Sequence, residues 1–149
     1  AEAIGYKPNL ILAARQINNG MSKFIANQTI KEMNKAGKAV KDSDILILGI
    51  TFKEDCPDIR NSRVIDIIKE LQQFNINVDV FDPHADEREV SEEYGITLID
   101  KCNKTYSGII LAVAHDEFLK MNFINFKKTD GIIYDIKSVL DKDLITERL

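Results

Sequence analysis

Nowhere does this chain hold a run of about 20 consecutive apolar residues, so it offers no transmembrane helix. Its first residues lack the basic stretch, apolar core and cleavage site of a secretory leader, and a soluble chain is expected. Cysteine is scarce: Cys56 and Cys102 are the two in 149 residues, and neither sits in a C-x-x-C pair. That is too few for a disulfide framework or a structural zinc set, and it points to a reducing, cytoplasmic compartment. Positive charge is short as well. With 20 Lys and Arg against 24 Asp and Glu the net charge is −4, and the pI is near 5.2. A nucleic-acid role driven by counterion release is therefore unsupported, and any anion site must be local. The 7 glycines form no G-x-G-x-x-G, so the main dinucleotide-binding fingerprint is missing.

What is present fits one compact unit with a real core and one extra element, since 44% of residues are hydrophobic and 30% charged. From Lys7 to about Lys35, apolar residues Leu10, Ala14, Ile17, Met21, Phe24 and Ile25 recur at helical steps. A helix of roughly 28 residues would run about 42 Å, more than a domain of this size needs for its own core. Part of its apolar stripe should then seek a partner. "KAGKAVKDS" reads as the exit and linker. After it, "DILILGI" has the continuous apolar character of a strand buried on both faces in a parallel sheet. "SRVIDIIKELQQF" follows as a helix that Asn61 or Ser62 can cap. "NVDVFDP" then reads as a strand, "ADEREVSEEYG" as an acidic helix and "ITLI" as another strand. "DKCNKTYS" is too short and polar to supply a crossover helix. The remaining segments read as strand "GIILAVAH", short helix "DEFLKMNF", strand "GIIYDI" and closing helix "LDKDLITERL". The alternation implies an α/β fold, an open, doubly wound, mostly parallel sheet covered on both faces, preceded by a long N-terminal connecting helix. Ligands in such sheets bind at the carboxyl ends of the strands.

The loop after the first strand, "GITFKEDCPDIRNSR", is the richest for chemistry. It sets Lys53, Arg60 and Arg63 beside a helix N-terminus whose unpaired N–H groups attract anions. Phosphate is the natural guest, and Phe52 could pack on a base or sugar face. Glu54, Asp55 and Asp58 oppose a simple phosphate trap; they either position the basic groups or pair with Lys53 and Arg60 in a merely solvated loop. Asp82 ends a strand where a ribose-binding acid often sits, but without the glycines a turn-forming Asp-Pro is favoured. His115 and Asp116 suggest acid–base or metal chemistry, yet one histidine and one acid fall short of a ligand set, and Asp116 as a helix cap explains them equally. No metal site is expected. Cys56 has no nearby histidine base and Cys102 sits in a polar connection, so neither is expected to be a nucleophile.

At "ILGITFKEDCPDIRNSRVIDIIKEL", with the later "VDVFDP" and "YDIKSVLD", the chain resembles the C-terminal, UDP-binding region of the UDP-glucose/GDP-mannose dehydrogenase family. The likeness spans nearly the whole chain. "AEAIGYKPNLILAARQINNGM" is similar to the family's segment just after its catalytic-cysteine loop, leading into the helix that joins two Rossmann-like domains. "TFKEDCPDIRNSRV" is most similar to the branch acting on UDP-N-acetylglucosamine or UDP-N-acetylgalactosamine. The resemblance implies residues 1–43 as an interdomain and dimerisation helix with its linker, and residues 44–149 as a Rossmann-like, UDP-sugar-binding domain. It also implies an NAD-dependent, two-step oxidation of a sugar C6 alcohol to a carboxylate, as in polysaccharide biosynthesis, through a cysteine that neither Cys56 nor Cys102 matches. An excised, inactive C-terminal fragment is therefore expected.

Carried over position by position, Phe52 and Lys53 match a Phe-Lys pair that touches the UDP-sugar, and Arg60 an arginine that reaches toward NAD. Lys137 stands where many members have a substrate-contacting arginine, a change that loses a bidentate fork. Arg15 and Asn18 resemble an "Arg…Asn-Asp" element near the active site, with Asn19 in place of the aspartate. The family's long helix forms a homodimer core, which would use the surplus apolar length. The competing reading is a stand-alone, non-catalytic nucleotide-binding or interaction module of the same fold; the missing acidic pair at the end of "ILGITF" disfavours a response-regulator version.

Overall fold

The computed structural model describes residues 9–149, the side chains of Asn9, Arg15 and Asn19 excepted. The expected helix start at Lys7 lies outside the described residues. Helix α1 (Asn9–Lys35) has 27 residues and is about 40 Å long. Two residues past its end Gly37, with φ +73°, lets the Lys38 N–H reach the Met33 carbonyl at 2.9 Å, a left-handed helix stop. The two ends of α1 differ in burial. Leu10, Ile11 and Ile17 are exposed, whereas Ile25, Ala26 and Met33 are buried in the core.

Among the described residues five strands, all parallel, form one sheet in the order β2-β1-β3-β4-β5: β1 (Asp44–Leu48), β2 (Asn77–Phe81), β3 (Tyr106–Leu111), β4 (Lys127–Asp135) and β5 (Glu147–Arg148). Period-two alternation divides the apolar residues between two cores. Ile45, Ile47, Ile110, Ile132 and Tyr134 face α1, α2 (Val64–Gln72) and α3 (Glu87–Tyr94). Leu46, Leu48, Ile109, Leu111 and Ile133 face Phe118 of α4 (Asp116–Leu119) and Phe123 of a following 3-10 turn. Burial on both sides explains why β1 and β3 read as unbroken apolar runs.

Four expectations need correction. The strand foreseen at "ITLI" is a single parallel bridge between Val80 and Leu98. There the chain wraps the β2 edge, sending Leu98 to one core and Ile99 to the other. Helix α3 supplies the connection from β2 to β3, so none is needed between Asp100 and Ser107. The closing helix foreseen at "LDKDLITERL" is a series of turns ending in β5. Its Leu140, Leu144 and Ile145 do find the second core, but the open edge of β4 competes for the backbone: Thr146 N–H bonds the Ile133 carbonyl at 2.8 Å, and Ile133 N–H bonds Thr146 Oγ1 at 3.1 Å. The N-cap of α2 is Arg63, with no side-chain cap bond; Ser62 Oγ instead accepts the Val64 N–H at 3.3 Å. Asp116 is the first residue of α4 and not its cap, and its N–H bonds Asp55 Oδ1 at 3.0 Å.

Candidate functional site

The loop after β1 is built from its inner end. Gly49 has φ +96°, and a Cβ there would stand 2.4 Å from Val113 Cβ, so no larger residue fits without displacement. Its N–H bonds the Phe81 carbonyl at 2.9 Å. Asp82, at the end of β2, takes the next two amides on Oδ2: Ile50 N–H at 2.7 Å and Thr51 N–H at 3.2 Å. Its Oδ1 accepts His84 and Ala85 N–H at 2.8 and 3.2 Å, closing an Asx turn. Burial works to raise the pKa of this carboxyl, but bonds from His115, Ile50 and His84 outweigh it and hold the group below the ordinary aspartate value.

The outer part of the loop faces water. Phe52 N–H closes it onto the Asp58 carbonyl at 2.7 Å, and Tyr94 Oη anchors its far side on the Ile59 carbonyl at 2.6 Å. Arg60 forks onto Asp58 at 3.0 Å from both Nε and Nη2, and these bonds hold the Asp58 carboxyl down at about 2. Glu54 receives Lys137 Nζ at 3.2 Å; its own backbone N–H first, and Lys137 after it, lower its pKa.

Beside the loop, at the carboxyl ends of β1, β3 and β4, lies a cleft of about 480 Å³. Ile25, Ile67, Val113 and Ile136 give it an apolar floor, Phe52 an aromatic edge, and Ser62 and Arg63 bring the start of α2 to its mouth. Among the described residues its wall holds the cations Arg63 and Lys137 and no Asp, Glu, His or Cys, so it has charge for an anion. The size suits a small molecule that is part apolar and part anionic.

The structure distributes the expected site residues unevenly. Phe52, Asn18 and Lys137 line the cleft. Lys53 is exposed on the outer loop, outside the cleft wall, where its charge acts on Asp58. The Arg60 side chain is 81% exposed and paired with Asp58. The side chain of Arg15 lies outside the described residues. Sequence reading missed Val113 and Ile136 as floor residues, and the convergence of Asp82 with His115. The only sequence signal for either was position just past an apolar strand. Of the thiols, Cys102 is pushed up to about 11 by burial and then by Asp79, which leaves it protonated near neutrality.

The fold also gathers the two histidines, with ring centroids 4.4 Å apart, and Asp55, His84 and His115 bring one ligand atom each within 4.8 Å of one another. However, His115 Nδ1 already accepts the Asp55 N–H at 2.9 Å, and His84 Nε2 pairs with Glu117 at 3.0 Å. Both nitrogens of His115 and Nε2 of His84 are thus engaged within the protein, which opposes a cation site.

Comparison with known proteins agrees with the fold. Residues 46–142 match the UDP binding domain of the UDP-glucose/GDP-mannose dehydrogenase family. The chain is 44% identical over 153 residues to UDP-N-acetyl-D-glucosamine 6-dehydrogenase of Pseudomonas aeruginosa, covering 100% of this chain and 36% of that protein. To Protein CapL of Staphylococcus aureus it is 42% identical over 146 residues, covering 96% and 34%. The solved UDP-N-acetyl-mannosamine dehydrogenase Cap5O of Staphylococcus aureus superposes with a TM-score of 0.73 at 26% identity, over 96% of this chain and 34% of that one. The chain thus spans about a third of the length of the curated relatives it matches.

Proposed function

From the premise that this chain belongs to the UDP-glucose/GDP-mannose dehydrogenase family, we propose that it is the UDP-sugar-binding part of a longer NAD-dependent dehydrogenase that oxidises the C6 alcohol of a UDP-N-acetylhexosamine to a uronate. The observation that carries this reading is the cleft: an apolar floor for a nucleoside, and two cations and a helix start for a diphosphate. On the family likeness, binding belongs to this chain and chemistry to the rest of the enzyme, where NAD and a catalytic cysteine would reside. Phe52, Lys137 and Asn18 contact the substrate from the cleft wall. Lys53 and Arg15 join them on the strength of the family likeness, Lys53 by turning its flexible stem inward from the loop rim. Arg60, on the outer face of the same loop, reaches toward NAD. Residues 1–43 serve as the connecting and dimerising element and residues 44–149 as the binding domain. Unpaired Cys56 and Cys102 suit a cytoplasmic setting, and no helix of the described residues is long and apolar enough to cross a membrane.

Calorimetric titration of the 149-residue chain with UDP should give saturable 1:1 binding, and no NADH should form when NAD and a UDP-sugar are added. Lys137→Ala should weaken UDP roughly 10-fold, the loss of one charge-assisted contact. No binding at millimolar UDP removes the reading. The longer enzyme should release two NADH per sugar oxidised. Homodimerisation rests on the exposed Leu10, Ile17 and Phe24 of α1. Light scattering should find a dimer that Phe24→Glu dissociates, and a wild-type monomer would exclude the helix as an interface.

A further inference from the structure

We propose that Asp82 and His115 form a buried clamp that fixes the loop after β1 against the loops after β2 and β3, making both of them positioning residues for the cleft; its consequence for ligand binding rests on the UDP-site reading above. Neither residue lines the cleft, so neither is assigned a contact with ligand.

The geometry is directional. Both side chains are fully buried, and His115 Nε2 lies 3.0 Å from Asp82 Oδ2. Because His115 Nδ1 accepts the Asp55 N–H at 2.9 Å, the ring proton belongs on Nε2, aimed at the carboxylate. The opposite tautomer would set two N–H groups against each other at Asp55 and two acceptors against each other at Asp82. The ring is also confined from the sides, with the His84 centroid at 4.4 Å and that of Phe118 at 5.2 Å. One carboxylate and one imidazole therefore hold three amides of the loop, those of Ile50, Thr51 and Asp55. The Asp55 carboxylate returns the link by accepting the Asp116 N–H at 3.0 Å.

Two details connect this clamp to the site. Asp55 has φ +53°, a left-handed conformation that a non-glycine residue adopts at a cost, and the bonds to His115 and Asp116 fall on that residue. Thr51 stands between clamp and cleft. Its Oγ1 is 3.2 Å from His115 Nε2 and donates to the Lys53 carbonyl at 3.1 Å, and Thr51 itself lines the cleft beside Phe52. Displacing His115 thus disturbs the backbone on both sides of the Phe52–Lys53 pair.

Amide side chains can separate the two bonds of the imidazole. In His115→Asn the amide can place its oxygen near the former Nδ1 and keep the Asp55 bond. In His115→Gln the amide can reach the former Nε2 position and keep a donor to Asp82 while leaving Asp55 N–H without its acceptor. Asp82→Asn turns one acceptor oxygen into a donor facing backbone N–H groups. Two measurements decide the matter, each made well below every variant's melting temperature. Amide hydrogen exchange on the ligand-free chain should show Ile50, Thr51 and Asp55 exchanging roughly 10-fold faster or more in His115→Gln and Asp82→Asn, with Ile109–Leu111 of β3 unchanged. UDP affinity should fall roughly 10-fold in the same two variants and no more than about 3-fold in His115→Asn. A role in global stability alone predicts uniform acceleration of all amides with unchanged affinity of the folded protein, and that result overturns the clamp. Equal behaviour of His115→Asn and His115→Gln overturns it too. If the wild-type chain does not bind UDP, the nucleotide reading fails by itself and the exchange pattern still decides whether the clamp exists; should Asp82→Asn fail to fold, the two His115 variants suffice.

Discussion

The two halves of the loop after β1 obey opposite rules. Its inner residues Gly49, Ile50 and Thr51 are buried, and each of their amides has a named partner at Phe81 or Asp82. Its outer residues Phe52, Lys53, Glu54 and Arg60 are exposed, and the ion pairs of Glu54 and Arg60 are made at the surface, where such pairs contribute little. Shape is set on the inside and charge is presented on the outside. A substitution inside should therefore change the fold before it changes binding, and one outside should do the reverse.

The strongest test of this contrast is Gly49→Ala. Its methyl group would meet Val113 Cβ at 2.4 Å and the Val113 nitrogen at 2.9 Å, and φ +96° is unfavourable for any L side chain. Overpacking and backbone strain together should cost about 3 kcal/mol or more, lowering the melting temperature by roughly 10 °C for a chain of this size. An unchanged melting temperature would mean that β1 and the start of the loop after β3 part easily, and the inner half would lose its claim to rigidity.

The same contrast explains what could be read before the structure. Buried strands announce themselves, because "DILIL" and "GIIL" need apolar residues on both faces. The charged loop was visible for the same reason in reverse: Lys53, Arg60 and Arg63 interrupt apolar pattern beside a helix start. What stayed hidden depends on distance in the chain. Asp82 meets Ile50 across 32 residues and His115 meets Asp55 across 60, and no local pattern encodes which strand ends become neighbours. "LDKDLITERL" has helical spacing, yet the vacant edge of β4 takes its last residues as β5, a choice that propensity does not contain. The 480 Å³ cleft is likewise a product of topology, assembled from α1, α2 and the ends of three strands.

A smaller effect, in affinity and not in stability, should separate the rim from the wall. Lys53→Ala should leave the melting temperature unchanged and weaken UDP roughly 10-fold, as expected when one charged contact to a diphosphate is lost. Arg63→Ala should weaken UDP less, although Arg63 lines the cleft in the ligand-free chain. Equal losses, read by calorimetry at two salt concentrations, would instead describe a diffuse positive field with no anchoring side chain.

The smallest expected effect concerns acid. Asp58 is held at about 2, chiefly by hydrogen bonds from Arg60, against 3.8 for an ordinary aspartate. A carboxylate depressed on folding contributes stability that is present above the unfolded value and is lost as pH falls through the folded one, here between about pH 4 and pH 2. Because the pair is solvent-exposed, water and salt screen most of it. Asp58→Asn should therefore move the melting temperature by no more than about 2 °C at pH 7 and by still less near pH 2. Buried Asp82 is also depressed, by bonds from His115 and the Ile50 amide that outweigh its burial, so its contribution disappears on acidification with the same sign. Thermal melts from pH 7 to pH 2 should leave most of the acid sensitivity in place in Asp58→Asn. If that variant instead removed it, the surface fork and not the buried carboxylate would be the acid-sensitive joint of the loop, and the division between inner and outer halves would have to be reversed.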